Sequence, residues 1–271
     1  MAINNPILNP IKFYDPTRTP NYSDRWPNID NISLYTEWQR GIYPTYFYRD
    51  FVLNEEMTLQ FRYDSAITAT SILVYKMDSS GVYQLNDSLL PLNVSPPAWT
   101  GISVYNYTWT PTEIGIYYFD FTGADLLSHK FIVHNDTKYL KRLFKITYTH
   151  YENKYGMIFL NGTTNVFTGL AYFQGFLIDG ELTNDLSIFT DDPGEVQLLQ
   201  ATPQRNATLY FDQLHYTYAD VVNYIFSCNE ITINGIQYQN SEVPKKEKIP
   251  DSDLVKISVN LFQRDNDHFI N

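Results

Sequence analysis

The sequence predicts a mainly β chain: a β-sandwich, then a β-rich α+β domain with one amphipathic helix, preceded by an extended Pro-rich arm. Three observations predict it. From about residue 45 onward, short alternating runs recur between turn signals. A single stretch, Tyr218 to Phe226, carries apolar residues at helical spacing. Six of the 14 prolines fall in the first 44 residues. The predicted bounds are 1–44 for the arm, 45–136 for the sandwich and 137–271 for the α+β domain.

The arm holds Pro6, Pro10, Pro16, Pro20, Pro27 and Pro44, too closely spaced for a helix or a central strand. It also holds Ile7, Leu8, Ile11, Phe13, Tyr14, Trp26, Leu34, Tyr35 and Trp38. So many apolar side chains are costly in water, so the arm is expected to pack along its own domain or a neighbouring subunit.

In the sandwich, strands are expected at Thr58–Tyr63, Ser71–Lys76, Val82–Leu85, Leu89–Val94, Ile102–Trp109, Ile116–Phe121 and Lys130–His134. Asp78-Ser-Ser-Gly81 is a hairpin turn. Glu113-Ile-Gly-Ile-Tyr117 resembles the acidic-x-Gly-x-Tyr corner of immunoglobulin-like domains, whose Tyr hydroxyl bonds back to the backbone. Phe119 stands where the disulfide-bonded members have Cys, so the resemblance implies an Ig-like β-sandwich without the disulfide.

In the α+β domain, strands are expected at Leu143–Tyr151, Met157–Leu160, Phe167–Phe173, Gly175–Ile178, Val196–Gln200, Thr208–Leu214 and Leu254–Phe262. Asn161-Gly162 marks a tight turn, and Asp191-Asp-Pro-Gly194 an exposed loop. The helix follows, with Tyr218, Val221, Val222, Ile225 and Phe226 on its buried face. Thr217 and Asp220 form a capping-box-like start, and Asn229 is expected to end it in the left-handed conformation. Asn234-Gly235 then turns a hairpin between Ile231 and Tyr238. Pro244 to Pro250 reads as a charged, mobile loop, with Lys245, Lys246 and Lys248 offset by Glu247, Asp251 and Asp253.

Composition narrows the function. The chain has 271 residues, a net charge of −11, and 23 Tyr with 17 Phe. That balance argues against specific nucleic-acid binding, which needs clustered cations, and against an anionic membrane surface. No stretch approaches the roughly 18 apolar residues of a membrane helix, and no secretory signal opens the chain. Cys228 is the only cysteine and reads as a small buried hydrophobe. Asn-x-Ser/Thr triplets such as those at Asn93, Asn106 and Asn161 reflect Asn-rich composition.

No catalytic, cofactor-binding or metal-ligating residue is nominated. His129 and His134 are five apart on a strand and face opposite ways, while His150, His215 and His268 stand alone. Neither a nucleophile elbow nor a phosphate-binding glycine loop occurs. The pairs Asp191/Asp192, Asp251/Asp253 and Asp265/Asp267 read as solvated turns. Trp26, Trp38, Trp99 and Trp109 could stack on sugars; Trp109 reads as core, and Trp99, after Pro96-Pro97, as exposed on a loop, a weak sugar signal against ordinary packing. The expectation is a protein that is not an enzyme and needs no cofactor; a polysaccharide-cleaving site would need two convergent carboxylates.

Two runs carry a wider resemblance. They are Ile114–Phe121, and Asn206–Gln239 closing with Lys256-Ile-Ser-Val-Asn-Leu-Phe262. Together with the Asn/Tyr-rich, acidic texture they resemble virion proteins of tailed phages that infect Bacteroidetes, including the crAss-like group. The resemblance covers about the last half of the chain and implies no site residues. It implies a structural subunit of a ring in the tail or the portal-to-tail connector, surrounding the DNA channel. Its partners would be copies of itself and neighbouring tail or portal proteins, with DNA at most passing through and no membrane. Its place would be the virion, assembled in the host cytoplasm. The alternative is a receptor- or glycan-binding tail module.

Overall fold

A computed structural model describes residues 3–4, 8–11, 13–14, 49–64, 69–96, 101–128, 130–135, 143–190, 196–240, 242–250 and 254–263. Those residues are mainly β, with several sheets, one of them closed as a barrel, and one α-helix. The chain divides into two compact units, Met1–Phe173 and Gln174–Asn271. The sequence drew its boundary at 136/137. Leu143, Leu170 and Tyr172, beyond that line, lie in the same core cluster as Phe51 and Phe131.

The first unit opens with β1 (Ile3–Asn4), β2 (Phe13–Tyr14), β3 (Arg49–Val52), β4 (Met57–Asp64), β5 (Ile72–Met77), β6 (Tyr83–Leu89) and β7 (Leu92–Asn93). It continues with β8 (Ile102–Trp109), β9 (Gly115–Phe121), β10 (Leu126–Ser128), β11 (Phe131–His134), β12 (Leu143–Thr149), β13 (Leu160–Asn161) and β14 (Thr164–Asn165). One sheet has the order β1-β4-β8-β7. In the other, β10 and β11 pair with one side of β9, and β5 with the opposite side. β6 extends this sheet beyond β5, and β3 runs parallel to β11.

Alternation makes these strands amphipathic. Tyr117, Phe119 and Phe121 of β9 are buried while their neighbours are half-buried. They meet Phe61 and Trp109 of the facing sheet: Phe61–Phe121 and Trp109–Phe119 centroids lie 5.0 and 5.5 Å apart, edge-on. The Tyr63 and Tyr107 hydroxyls bond each other at 2.5 Å, and Tyr107 donates to the Thr70 carbonyl at 2.8 Å.

The described part of the arm packs on its own unit. β1 pairs with β4 and β2 with β10, both at sheet edges, where a nearby proline costs no ladder bond. Leu8 and Ile11 are buried. Two short edge strands therefore stand in the arm, where the proline spacing excluded a helix or a central strand. Residues 15–48, with Trp26, Leu34, Tyr35 and Trp38, lie outside the described residues.

The outer face of β4 is covered by polar bonds. Gln60 is fully buried. Its Nε2 donates to Asn106 Oδ1 (3.0 Å) and the Ile158 carbonyl (2.9 Å), and its Oε1 accepts from the Ile158 N–H (2.6 Å). Asn9 exchanges two 2.8 Å bonds with the Gln60 backbone, much as a strand neighbour would. These bonds explain a correction. Met157–Leu160 reads as a strand, yet only Leu160 is in one, because side-chain amides take the ladder's place. Asn153 Oδ1 accepts from Phe159 and Leu160 N–H, each at 2.9 Å. The Asn161-Gly162 turn forms as expected, with Gly162 at φ +64° between β13 and β14.

β15 (Gly169–Thr190) starts in the first unit and continues into the second. The second unit also holds β16 (Val196–His215), α1 (Tyr216–Ile225), β17 (Glu230–Ile233), β18 (Ile236–Asn240), β19 (Lys245–Lys248) and β20 (Leu254–Gln263). β16 bonds β15 on one side and β20 on the other, and their sheet closes into the barrel. The separate runs expected at Phe167–Phe173 and Gly175–Ile178 are one strand, as are those at Val196–Gln200 and Thr208–Leu214.

Ala219, Val221, Val222, Ile225 and Phe226 bury the helix, and Phe226 meets Phe211 edge-on at 6.0 Å. The side chains of Thr217 and Tyr218 lie outside the description. Positive φ outside glycine occurs at Asn54, Asp125, Tyr155 and Asn234, so Asn229 does not form the expected left-handed cap. Tighter bonds end the helix instead: Ser227 N–H to the Tyr224 carbonyl (3.2 Å) and Asn240 Nδ2 to the Phe226 carbonyl (3.1 Å). Asn234 and Gly235 both have positive φ, as a two-residue hairpin requires.

Lys245–Lys248 pairs antiparallel with β20, which corrects the mobile loop expected there. All four residues are exposed. A lysine-rich edge strand bounded by prolines blunts unwanted pairing, and its composition mimics a loop's.

Candidate functional site

The second unit carries a groove of about 640 Å³ whose walls follow from strand register. Phe176 of β15 stands opposite Tyr210 of β16; Tyr210 is opposite Ser258 of β20; Ser258 is opposite Lys245 of β19. Cross-strand neighbours share a face, so one row runs from an aromatic pair to a cation. The rings of Phe176 and Tyr210 stack at 5.0 Å and 17°, yet they are 52 % and 36 % exposed. Ile178, next along the same face of β15, is 50 % exposed. Behind this face Leu209 and Phe211 point into the core.

Lysines border the aromatic stack. Lys245, Lys246 and Lys256 line the groove with Glu247. Lys246 contacts Asp220 of the helix at 2.8 Å, and Lys245 contacts Glu242 at 3.0 Å. Hydrogen bonding and the charge of Lys245 hold the Glu242 carboxyl below its ordinary value. Both ion pairs are solvent-exposed and cost little to exchange for another partner. The groove thus presents an apolar floor with a cationic rim, which suits an apolar segment carrying acidic groups.

The first unit has a smaller cleft, about 400 Å³, lined by Glu55, Glu56, Lys145, Thr147, Asn165 and Phe167 among others. Lys145 and Glu55 form an ion pair in it. Tyr172 has a buried hydroxyl without a hydrogen-bond partner among the described residues. Burial, then the Glu55 charge, raises its pKa.

The residues weighed from sequence fall as follows. Trp109 is core. His134 Nε2 contacts Asp50 Oδ1 at 2.8 Å. His150 is buried and accepts from the Glu152 N–H at 3.0 Å; burial, then the nearby Lys154 charge, lowers its pKa. Burial pushes the Cys228 thiol up to about 12. Trp99, His129, His268, Asp191, Asp192, Asp251, Asp253, Asp265 and Asp267 lie outside the described residues, as does the His215 side chain. Among the described residues, no cluster of three or more His, Cys, Asp or Glu could hold a metal ion, and no helix is long and apolar enough to cross a membrane. Sequence reasoning missed Phe176 and Tyr210, because 34 positions of chain separate them and only register makes them neighbours.

Comparison with protein-family models, curated proteins and solved structures returns no match.

Proposed function

We propose that the chain is a structural subunit of a phage virion that forms a ring in the tail or portal-to-tail connector around the DNA channel. One observation carries the reading: β15 and β16 continue as a paired ribbon past the end of their pairing with β20. A two-stranded ribbon is marginal in water and gains stability by packing on something else. Identical subunits that interlock through such extensions close into rings when the rotation between them closes. The net charge of −11 fits a channel wall that repels passing DNA. Under this reading the first unit is an Ig-like sandwich. Its support is the bond from the Tyr117 hydroxyl to the Glu113 carbonyl, 2.8 Å, and the strand orders β1-β4-β8-β7 and β5-β9-β11, which parallel the A-B-E-D and C-F-G sheets of that fold. The test is native mass spectrometry of the purified full-length chain with negative-stain images of the same sample. A closed ring of identical subunits is expected; a chain that stays monomeric at all accessible concentrations overturns the reading.

The exposed Phe176–Tyr210 stack favours a second reading, a glycan-binding tail module, since an aromatic face next to polar groups suits a sugar ring. Binding on a glycan array that Phe176→Ala abolishes would favour it over the ring.

A further inference from the structure

The two sheets of the first unit differ on their outward faces. On β4, Leu59, Phe61 and Tyr63 lie in the core while Thr58, Gln60 and Arg62 take the opposite face, the usual alternation. In the other sheet β5, β9 and β11 read Ile72-Leu-Val-Tyr75, Ile116-Tyr-Tyr-Phe119 and Phe131-Ile-Val133, apolar or aromatic at consecutive positions. Runs of that kind belong to strands covered on both faces. One face is the core, through Val74, Phe119 and Phe131.

Register lays the outward residues in rows. Tyr83 of β6 is opposite Met77 of β5, and Ile116 of β9 is opposite Ile132 of β11. In the next row Leu85 is opposite Tyr75, and Tyr75 opposite Tyr118. Leu73 follows, opposite Asp120. The rings pack among themselves: Tyr75 and Tyr118 stack at 4.9 Å and 5°, and Tyr83 meets Tyr118 edge-on at 4.8 Å. Solvent still reaches every residue of these rows, and Leu85 and Ile114 at the border are 60 % and 57 % exposed.

Size and charge indicate what covers this face. Four strands about 4.8 Å apart, along the 7 residues of β9, give a footprint of roughly 450 Å². Monomeric proteins seldom leave so large an apolar patch in water. Side-chain relief adds to the footprint and brings it toward the roughly 600–1,000 Å² per copy of a specific interface. The face also carries its own electrostatic complement. Asp120 is half-buried with no ion-pair partner among the described residues; burial, then the Asp125 charge, raises its pKa. Lys130, just before β11, stands over the Tyr83 ring at 5.3 Å. A two-fold axis midway between Asp120 and Lys130 lays each Asp120 against the Lys130 of a second copy. Sheets pack face to face in this manner about 10 Å apart, and tyrosine is enriched where chains meet.

We propose that the outward face of β6-β5-β9-β11 is a two-fold interface between copies of this chain, tyrosine-rich at its centre, with Asp120 of each copy set against Lys130 of the other. The contact is isologous and does not rest on the ring reading; where rings form, it joins them in pairs.

The experiment uses the full-length chain and two charge variants, Asp120→Lys and Lys130→Asp, with thermal melting to confirm that each is folded. Light scattering over a range of concentrations is expected to give an even-numbered assembly for the unmodified chain. Each charge variant alone is expected to associate at least tenfold more weakly at low salt. An equimolar mixture of the two is expected to recover, because in the mixed pair every lysine again faces an aspartate. Tyr118→Asp, at the centre, is expected to abolish the contact, and the exposed-site Leu85→Asp replaces it should that variant not fold. An unmodified chain that keeps a single-chain mass at all accessible concentrations overturns the proposal, whether water or the chain's own 15–48 segment covers the face. An oligomer that survives Tyr118→Asp and Leu85→Asp overturns this interface and leaves the ring reading standing. A mixture of charge variants that does not recover overturns the two-fold pairing. An assembly of two chains and no more, lost in Tyr118→Asp, supports the interface and overturns the ring.

Discussion

Replacing Gln60 by leucine isolates the polar bridge that fastens the 157–167 segment to β4. The two side chains are similar in size, so the change leaves little cavity. It removes three hydrogen bonds, two to Ile158 and one to Asn106. Ile158 is fully buried and Asn106 only 4 % exposed, so the orphaned groups have no water to turn to. Each unsatisfied buried group costs about 1–3 kcal/mol. Three such groups sum to at least about 3 kcal/mol, set against the roughly 5–15 kcal/mol that holds a typical domain folded. The assay is urea unfolding followed by tryptophan fluorescence, with the midpoint read at constant slope. The midpoint should fall by the equivalent of about 3–5 kcal/mol with the slope unchanged. Asn9→Ala, which removes the two bonds to the Gln60 backbone, should couple to it in a double-mutant cycle. A loss below about 1 kcal/mol for Gln60→Leu would refute the reasoning, since that is the value of one ordinary exposed hydrogen bond.

Tyr117→Phe deletes the bond to the Glu113 carbonyl and should cost about 0.5–1.5 kcal/mol in the same assay. Gly169→Ala places a methyl 2.1 Å from the Tyr148 ring, which is buried and held by its hydroxyl bond to the Leu8 carbonyl; overpacking here should cost about 1–3 kcal/mol, read as a lower melting temperature. Burial pushes Tyr63 and Tyr117 up to about 12 and also raises Tyr107 and Tyr172. The unfolded chain releases these protons near pH 10, so it binds fewer protons than the folded chain, and stability falls as pH rises from about 10 to 12. Each tyrosine contributes a slope of up to about 1.4 kcal/mol per pH unit, and a urea midpoint that stays flat over that window contradicts the burial. Cys228, raised to about 12, should react with a thiol reagent at pH 8 about a thousandfold more slowly in the folded chain than in urea, measured by absorbance.

The parts legible in the sequence are those fixed within a few residues. Ile102–Trp109 is rich in β-branched and aromatic residues between turn signals and forms a strand with those bounds. Asn234-Gly235 supplies both positive φ values its turn needs. At Asp78, the Val82 N–H, with Ser80 and Gln84, holds the carboxyl below its ordinary value, as a self-contained turn would. The long hairpin was less legible. Gly175 and Pro203 look like strand breaks, but both are in register. Gly175 lets β15 approach the Tyr210 carbonyl, where a Cβ would come within 2.1 Å. Pro203 falls beyond the end of the β16–β20 pairing at Arg205, so its missing N–H breaks no bond to β20. β19 was hidden because edge strands and loops share lysine-rich composition. The groove was the least legible part, since its row of Phe176, Tyr210, Ser258 and Lys245 comes from four strands and exists only through register.

The most direct test of ring assembly is crosslinking of the unmodified full-length chain in solution with a short amine-reactive reagent, read on a denaturing gel. The predicted result is a ladder of covalent dimers, trimers and higher species ending at one closed form. A product that stops at the dimer, or uncrosslinked chain alone, would contradict it.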